Sequence, residues 1–348
     1  MTGPSEQIDT AGYDAVSELL HRYLTGLVLA LVVEEGEDRA ADALFGLFRR
    51  QHLERFLPGL SKLGLDGEPD AVACAKYHYL SNHVGGVGVV FVPESDTKAW
   101  VRYLPPRWIF DGTALAAIPT RVARAMLHGW HGHNGVSLGN PRLGFVCTGQ
   151  TMDGFPGLEG YYLEEDRELE PEERVRFRFG EMCPPVDLDA LPLLAADTWP
   201  PDRLAKAARN YSMDYIRNIT PVLHDQLGPL AAQGLMYRTG SRIGMQYSKA
   251  VTDRLGTTAP AVVLARLLEA QGDAVIAGDV LVSQESWRMF RGLEGECVPE
   301  WLDGLAGLYA GVLAVADPTV RLELTDRLDL GADRTTWRIT RPGGPRGF

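Results

Sequence analysis

The order of helical and strand-like stretches is the same in both halves of the chain, and this most restricts what it can fold into. Apolar residues recur at helical spacing over 13–33 and 38–57, with a break at Glu34-Glu-Gly36. Short β-rich runs follow at 71–80, 88–92 and 99–104, then a helix over 113–130 that contains Pro119, then strands at 143–147, 158–163 and 174–179. After an acidic, proline-rich connector at 164–201, the pattern returns. Asp202 is placed to cap a helix to 218, helices follow at 227–255 and 259–270, strands at 274–283 and 286–290, a helix at 300–314, and strands at 320–326 and 335–339. Local echoes reinforce the parallel: Asp70-Ala-Val72 beside Asp273-Ala-Val275, and Asn140-Pro-Arg-Leu143 beside Asp317-Pro-Thr-Val320. The spacing predicts an α+β protein of two similar halves, each made of helices plus a small antiparallel sheet, related by internal duplication. The expected division is 1–190, bearing the site, and 191–348, serving as scaffold and dimerisation half. In that register His78 lies opposite Leu281, and His131 and His133 lie opposite Leu308 and Ala310.

A chain of 348 residues is long enough for two such cores. Its net charge of -12 repels nucleic-acid backbones and anionic membranes unless a local basic patch intervenes. The tightest basic runs, Arg49-Arg50 and Arg174-x-Arg176-x-Arg178, read as a helix face and an exposed strand face. No nucleic-acid or membrane partner is therefore expected. The most apolar run, 23–33, is 11 residues between Arg22 and Glu34, short of the roughly 20 that a bilayer requires. Four cysteines (Cys74, Cys147, Cys183, Cys297) without a C-x-x-C pair, and a start Met1-Thr-Gly-Pro-Ser-Glu6 without a basic segment, point to a reducing, cytoplasmic setting. A homodimer is the base expectation.

Five of the eight histidines fall within 56 residues: His78, His83, His128, His131 and His133. The second half has His224 alone. Histidine titrates nearest neutral pH and is the commonest metal ligand, so a cluster points to chemistry. In His128-Gly-Trp-His131-Gly-His133-Asn134, the first two histidines share a helix face and the glycines allow the third to be re-aimed. His78, His128, His131 and His133 are the candidate ligands of a divalent ion, zinc or iron, and His131, His133, Asn134 and Asp153 the candidate catalytic groups. Tyr79, Trp130 and Ser137 are candidate substrate contacts, with Tyr77 beside them. His78 and His83, five apart, point to opposite faces of a strand, so only one joins the cluster. Gly135-Val-Ser137-Leu-Gly139 matches a nucleophile elbow, but a helix precedes it and Pro141 follows, so a Gly-rich pocket loop is the better account. Gly85-Gly-Val-Gly88 reads as a hairpin turn rather than a phosphate cradle, and no nucleotide cofactor is indicated. Cys147, in an apolar strand, reads as a buried inert thiol.

The segments Met236-Tyr-Arg-Thr-Gly-Ser-Arg-Ile-Gly-Met-Gln-Tyr247, Gly307-Leu-Tyr-Ala-Gly311 and Thr335-Thr-Trp-Arg-Ile339 resemble the small-molecule-binding superfamily that includes 4-vinyl reductase domains. They are also similar to the related L-2-amino-thiazoline-4-carboxylic acid hydrolases. The resemblance covers 230–340 and, more faintly, 20–165. Members often carry a cysteine in the last hairpin, whereas Gly331-Ala-Asp-Arg-Thr-Thr-Trp337 has none. What the resemblance implies is a small-molecule substrate and hydrolytic opening of a cyclic carbon–nitrogen bond. The histidines would either bind a metal that activates water or act as base and acid directly. Two alternatives stay open. One is a non-haem Fe(II) oxygenase using two imidazoles and Asp153 or Glu159. The other is a non-catalytic sensor or carrier, as some domains similar to 4-vinyl reductases are.

Overall fold

The computed structural model describes residues 10–105, 109–110, 112–194 and 196–341; the amino-terminal six residues read above lie outside them. The chain forms two compact units, Leu31–Pro200 on the one hand and Met1–Ala30 with Pro201–Phe348 on the other. Residues 10–30 thus belong with the later part of the chain. The fold is α+β, with one sheet in each unit.

The first set of elements is α1 (Thr10–Glu34), α2 (Glu37–Lys62), α3 (Asp70–Val84), β1 (Val89–Ser95), β2 (Lys98–Tyr103), α4 (Thr120–Gly129), α5 (Asn134–Leu138), β3 (Leu143–Gly149), β4 (Leu158–Glu164) and β5 (Val175–Phe177). The second is α6 (Pro201–Leu227), α7 (Pro229–Leu255), α8 (Pro260–Gln271), β6 (Val275–Ala277), β7 (Leu281–Gln284), α9 (Pro299–Ala316), β8 (Arg321–Leu324) and β9 (Thr335–Thr340). The two sheets carry the same strand order, β1-β2-β4-β3 and β6-β7-β9-β8, to which the first adds β5 parallel to β3. Each of these four-stranded arrangements is two hairpins with helix between them, α4 and α5 in the first and α9 in the second, and three helices precede each.

Local chemistry sets the boundaries in the second set. Proline opens α7, α8 and α9, where its missing N–H costs nothing. Left-handed Gly256 and Gly272 close α7 and α8. Between α7 and α9 the backbones touch: a Cβ on Gly244 would stand 2.2 Å from the Leu308 carbonyl oxygen, and one on Gly307 2.3 Å from that of Tyr237. Only glycine fits there.

Several expectations are corrected. Residues 71–80 are helix α3, not a strand; five consecutive buried residues, Ala71–Ala75, hide its periodicity. On a helix a five-residue offset still separates His78, buried, from His83, exposed. His78 is consequently no counterpart of Leu281, which lies in β7. The helix over 113–130 is a 3-10 turn (Gly112–Ala116) followed by α4, with Pro119 as its N-cap. The second helix runs on to Lys62, the helix from 202 runs on to Leu227, and residues 288–290 form a 3-10 turn instead of a strand. By length and composition alone α1, at 25 residues, is apolar enough to cross a bilayer, and 56% of its apolar window is buried inside the protein.

Candidate functional site

α2 places His52 one helical turn beyond Phe48 and one before Phe56, on its buried stripe. α3 supplies Cys74, Tyr77 and His78, all buried. After α4 the chain tightens into a 3-10 turn, His131–His133, that runs into α5 at Asn134. The glycines there serve packing: a Cβ on Gly135 would lie 2.5 Å from the Leu143 carbonyl oxygen, and one on Gly132 2.9 Å from Val175. Their lack of a side chain seats the turn against β3 and β5, which aims His131 and Asn134 inward. β2 and β4 add Tyr103 and Tyr162 from the sheet.

These side chains make one buried network. Arg49 Nη1 lies 2.8 Å from His52 Nδ1. A guanidinium only donates, so this ring nitrogen accepts and His52 carries its proton on Nε2. Nε2–H then donates to Asn134 Oδ1 over 3.1 Å. That orients the Asn134 amide: its NH2 donates to Tyr162 Oη at 2.8 Å and, over a longer 3.4 Å, to His78 Nε2. His78 is therefore protonated on Nδ1, which donates to Tyr103 Oη at 2.9 Å. Donation runs one way, from Arg49 through two neutral imidazoles and an amide to a phenol.

His131 stands apart from that chain although it touches it. Its ring stacks on His78 with centroids 4.3 Å apart and planes 7° from parallel, with Tyr162 nearly coplanar in direction at 10° and Phe145 at 4.6 Å. It is 4% exposed, and both its nitrogens are buried without a hydrogen-bond partner. The neighbouring Trp130, which meets His52 edge-on at 5.5 Å, also has an unpartnered buried N–H. Burial, then the charge on His52, push the His131 pKa down to about 3. Burial, then Arg49, then His133 take His52 to about 3 against the Asn134 hydrogen bond, and burial followed by His131 and His52 holds His78 well below the usual range. All three are neutral at pH 7. Burial raises the Cys74 thiol well above its usual value, so it rests protonated beside Asn134.

The structure thus gathers His78, His131, Asn134 and Trp130 from the sequence-derived set and leaves the others outside. His133 points back, its Nδ1 2.9 Å from the His128 carbonyl, with Phe45 and His52 at ring distances of 6.1 Å. His128 lines a separate groove of about 680 Å³ with Phe45, Arg121, Arg124 and Phe177. Asp153 is engaged by Arg124, Thr120 and Gln150. Glu159 pairs with Arg102 and accepts the Cys183 N–H. Tyr79 packs against Phe91 and His83, and Ser137 lies within α5, not in a loop or an elbow. Among the described residues no three His, Cys, Asp or Glu side chains are grouped to hold a metal ion. Parallel stacking also directs the in-plane lone pairs of His78 and His131 alongside each other rather than toward one point.

His52, Tyr103, Tyr162 and Cys74 were not singled out in the sequence. For His52 a signal exists, since it occupies a stripe at 44, 48, 52 and 56 whose other members are apolar.

The other unit has a buried polar network of a different kind. Gln271 and Tyr309 bond each other, Trp337 Nε1 donates to Gln284 Oε1, and Gln284 Nε2 donates to Asp273, which also accepts from Ser286 and the Arg288 N–H. Its members are partnered where His131 is not. Comparisons of the chain with family models, with curated proteins and with solved structures return no match.

Proposed function

We propose that residues 31–200 form a small-molecule-binding unit of the sensor or carrier type, with the edge of the His131 imidazole as its recognition group. One observation carries the reading: His131 is the member of the buried network whose two ring nitrogens both lack partners. Leaving a buried polar group unsatisfied costs about 1–3 kcal/mol, so a fold that keeps two in one ring gains from a ligand that fills them. A neutral imidazole offers one donor and one acceptor in its plane, and the flanking rings of His78, Tyr162 and Phe145 favour a flat partner. The ligand class is a small, planar, heteroatom-rich molecule. Direct acid–base hydrolysis fits less well, because a base titrating at about 3 is weak at neutral pH, where effective bases titrate near the working pH. The resemblance to the 4-vinyl reductase superfamily accords with ligand binding in either case.

The test is calorimetric titration with planar cyclic amides, beginning with 2-pyridone, on wild type and His131→Phe. Binding by wild type that weakens at least ten-fold in a folded variant supports the reading. Turnover of a cyclic amide that disappears with His131 and follows a bell-shaped pH profile would replace it with the hydrolase.

A further inference from the structure

In a chain of net charge -12, arginines near the surface usually find carboxylates, and in this unit Arg102, Arg124, Arg142 and Arg176 do so with Glu159, Asp153, Glu164 and Glu165. Arg49 and Arg174 do not. Among the described residues neither has a carboxylate at ion-pair distance. Arg49 has the single contact to His52, and the Nε of Arg174 is buried without any partner. The backbone of Arg174 is pinned, since its carbonyl accepts the Phe145 N–H at 2.8 Å, and its Cβ lies 3.8 Å from where a Cβ on Gly132 would stand. Its side chain therefore starts beside the turn that carries His131 and His133. His133 in turn lies 6.1 Å from His52, one helical turn from Arg49. Two guanidiniums half-buried together, with the His133 ring held away from its charged form beside them, repel each other unless an anion joins them.

We infer that Arg49 and Arg174, with the His133 ring beside them, bind the oxyanion end of a small molecule, a carboxylate or a phosphate monoester. The electrostatics agree: burial, then the Arg174 charge, lower the pKa of Arg49, and burial, then Arg49, lower that of His133. Planar guanidinium forks match both oxyanions in a bidentate manner. The inference deepens the ligand-binding reading and rests on it for the neutral end of the molecule, which His131 would meet. The charged end reaches the same network through Arg49 and His52.

The experiment is a titration of 15N-histidine-labelled protein at constant ionic strength, with inorganic phosphate in one arm and acetate in the other, following the His133 resonances. Phosphate or acetate should move them saturably, and the arm that saturates at lower concentration identifies the oxyanion preferred. Arg174→Gln and Arg49→Gln should weaken that binding at least ten-fold, whereas Arg142→Gln should leave it unchanged. A wild-type His133 signal unmoved by both anions overturns the inference, as does equal affinity in folded Arg174→Gln. Phosphate binding that survives in wild type and His131→Phe while 2-pyridone binds neither would leave the anion site standing and remove the reading of His131. The converse, 2-pyridone bound and both anions ignored, would remove only the anion site.

Discussion

His78 and His131 lie face to face, their ring centroids 4.3 Å apart, yet His78 has its ring nitrogens engaged by Asn134 and Tyr103 while those of His131 have no partner. Stacking at that distance suits two uncharged imidazoles and would be opposed by charge on both. Their neutrality and their contact sustain each other: burial removes the water that would solvate a charged ring, and charge on one ring would disfavour charge on the other. What sets His131 apart is the sequence of the turn that carries it, where Gly132 and Gly135 let the backbone approach β5 and β3 closely enough to bury the ring.

Replacing His131 with phenylalanine should stabilise the protein. The ring volume and the contacts to His78 and Phe145 are largely retained, and two unsatisfied polar atoms are removed, which is worth about 1–3 kcal/mol each in a buried setting. The melting temperature should rise, by a few degrees at least for a gain of this size. His131→Ala should do the opposite, since it opens a cavity among large side chains. A lower melting temperature for His131→Phe in thermal unfolding would mean that the nitrogens are satisfied in the native protein and that His131 has no free edge to offer a ligand.

Acid should unfold this unit through its histidines. His52 and His131 titrate at about 3 when folded and near 6.5 when unfolded, and His78 is shifted the same way. Between those values the unfolded chain holds the extra protons, so stability is full above pH 6.5 and is lost as pH falls toward 3. Each group contributes at most about 1.4 kcal/mol per pH unit. Asp273, raised by burial to about 6, acts in the opposite sense between pH 4 and 6, because there the folded state binds the proton. Comparing wild type with His131→Phe cancels that contribution. Urea unfolding at half-unit pH steps should show a slope shallower by one proton in the variant, and equal slopes would contradict the assignment of His131 as neutral and buried.

How far the sequence carried these conclusions depends on where the informative contacts lie. α7, α8 and α9 were legible because their signals are local: Pro229 after Gly228, Pro260, Pro299, and the stopping Gly256 and Gly272. α3 was not, because its surroundings bury Ala71–Ala75 without a break, and a helix with no exposed face among them looks like an inner strand. The site was half legible. His78, His131 and Asn134 could be nominated by residue type and crowding. The hydrogen bond from His52 to Asn134 spans 82 positions, and that from His78 to Tyr103 joins a helix to a strand, so nothing in local spacing encodes either. Metal ligation was expected from the crowding of histidines and from the helical spacing of His128 and His131, whereas convergence is decided by ring orientation, which spacing along the chain does not carry.

Gly135→Ala should disturb the site more than its size suggests. The added methyl would stand 2.5 Å from the Leu143 carbonyl oxygen and 2.7 Å from that of Asn140, and neither backbone atom can swing away. The turn must lift from β3, taking Asn134 with it. A loss of about 1–3 kcal/mol in unfolding experiments is the expected overpacking cost. It should be accompanied by weaker 2-pyridone binding, while Gly139→Ala, at an exposed left-handed position, should cost stability through its backbone yet leave binding alone. Binding that is equally impaired in both variants would show that the packing of this turn does not set the site.

The direction of the hydrogen-bond chain gives the most specific expectation. Because Arg49 can only donate, His52 must be the Nε2–H tautomer, and because the Asn134 amide then faces His78 with its NH2, His78 must be Nδ1–H. Nitrogen-15 spectra of the histidine side chains at pH 7 should therefore show opposite tautomers for the two rings. Arg49→Met removes the donor that fixes the His52 end of this order while keeping much of the side-chain bulk. His52 is then free to take its proton on Nδ1 and accept on Nε2, the Asn134 amide can turn over to donate to it, and the Asn134 oxygen would then face His78 Nε2 and favour its protonation. Both tautomers should change together in that variant, although His78 lies three hydrogen bonds from the mutated residue. Should His52 respond and His78 keep its tautomer, the amide of Asn134 is held by Tyr162 alone and the two histidines are not coupled.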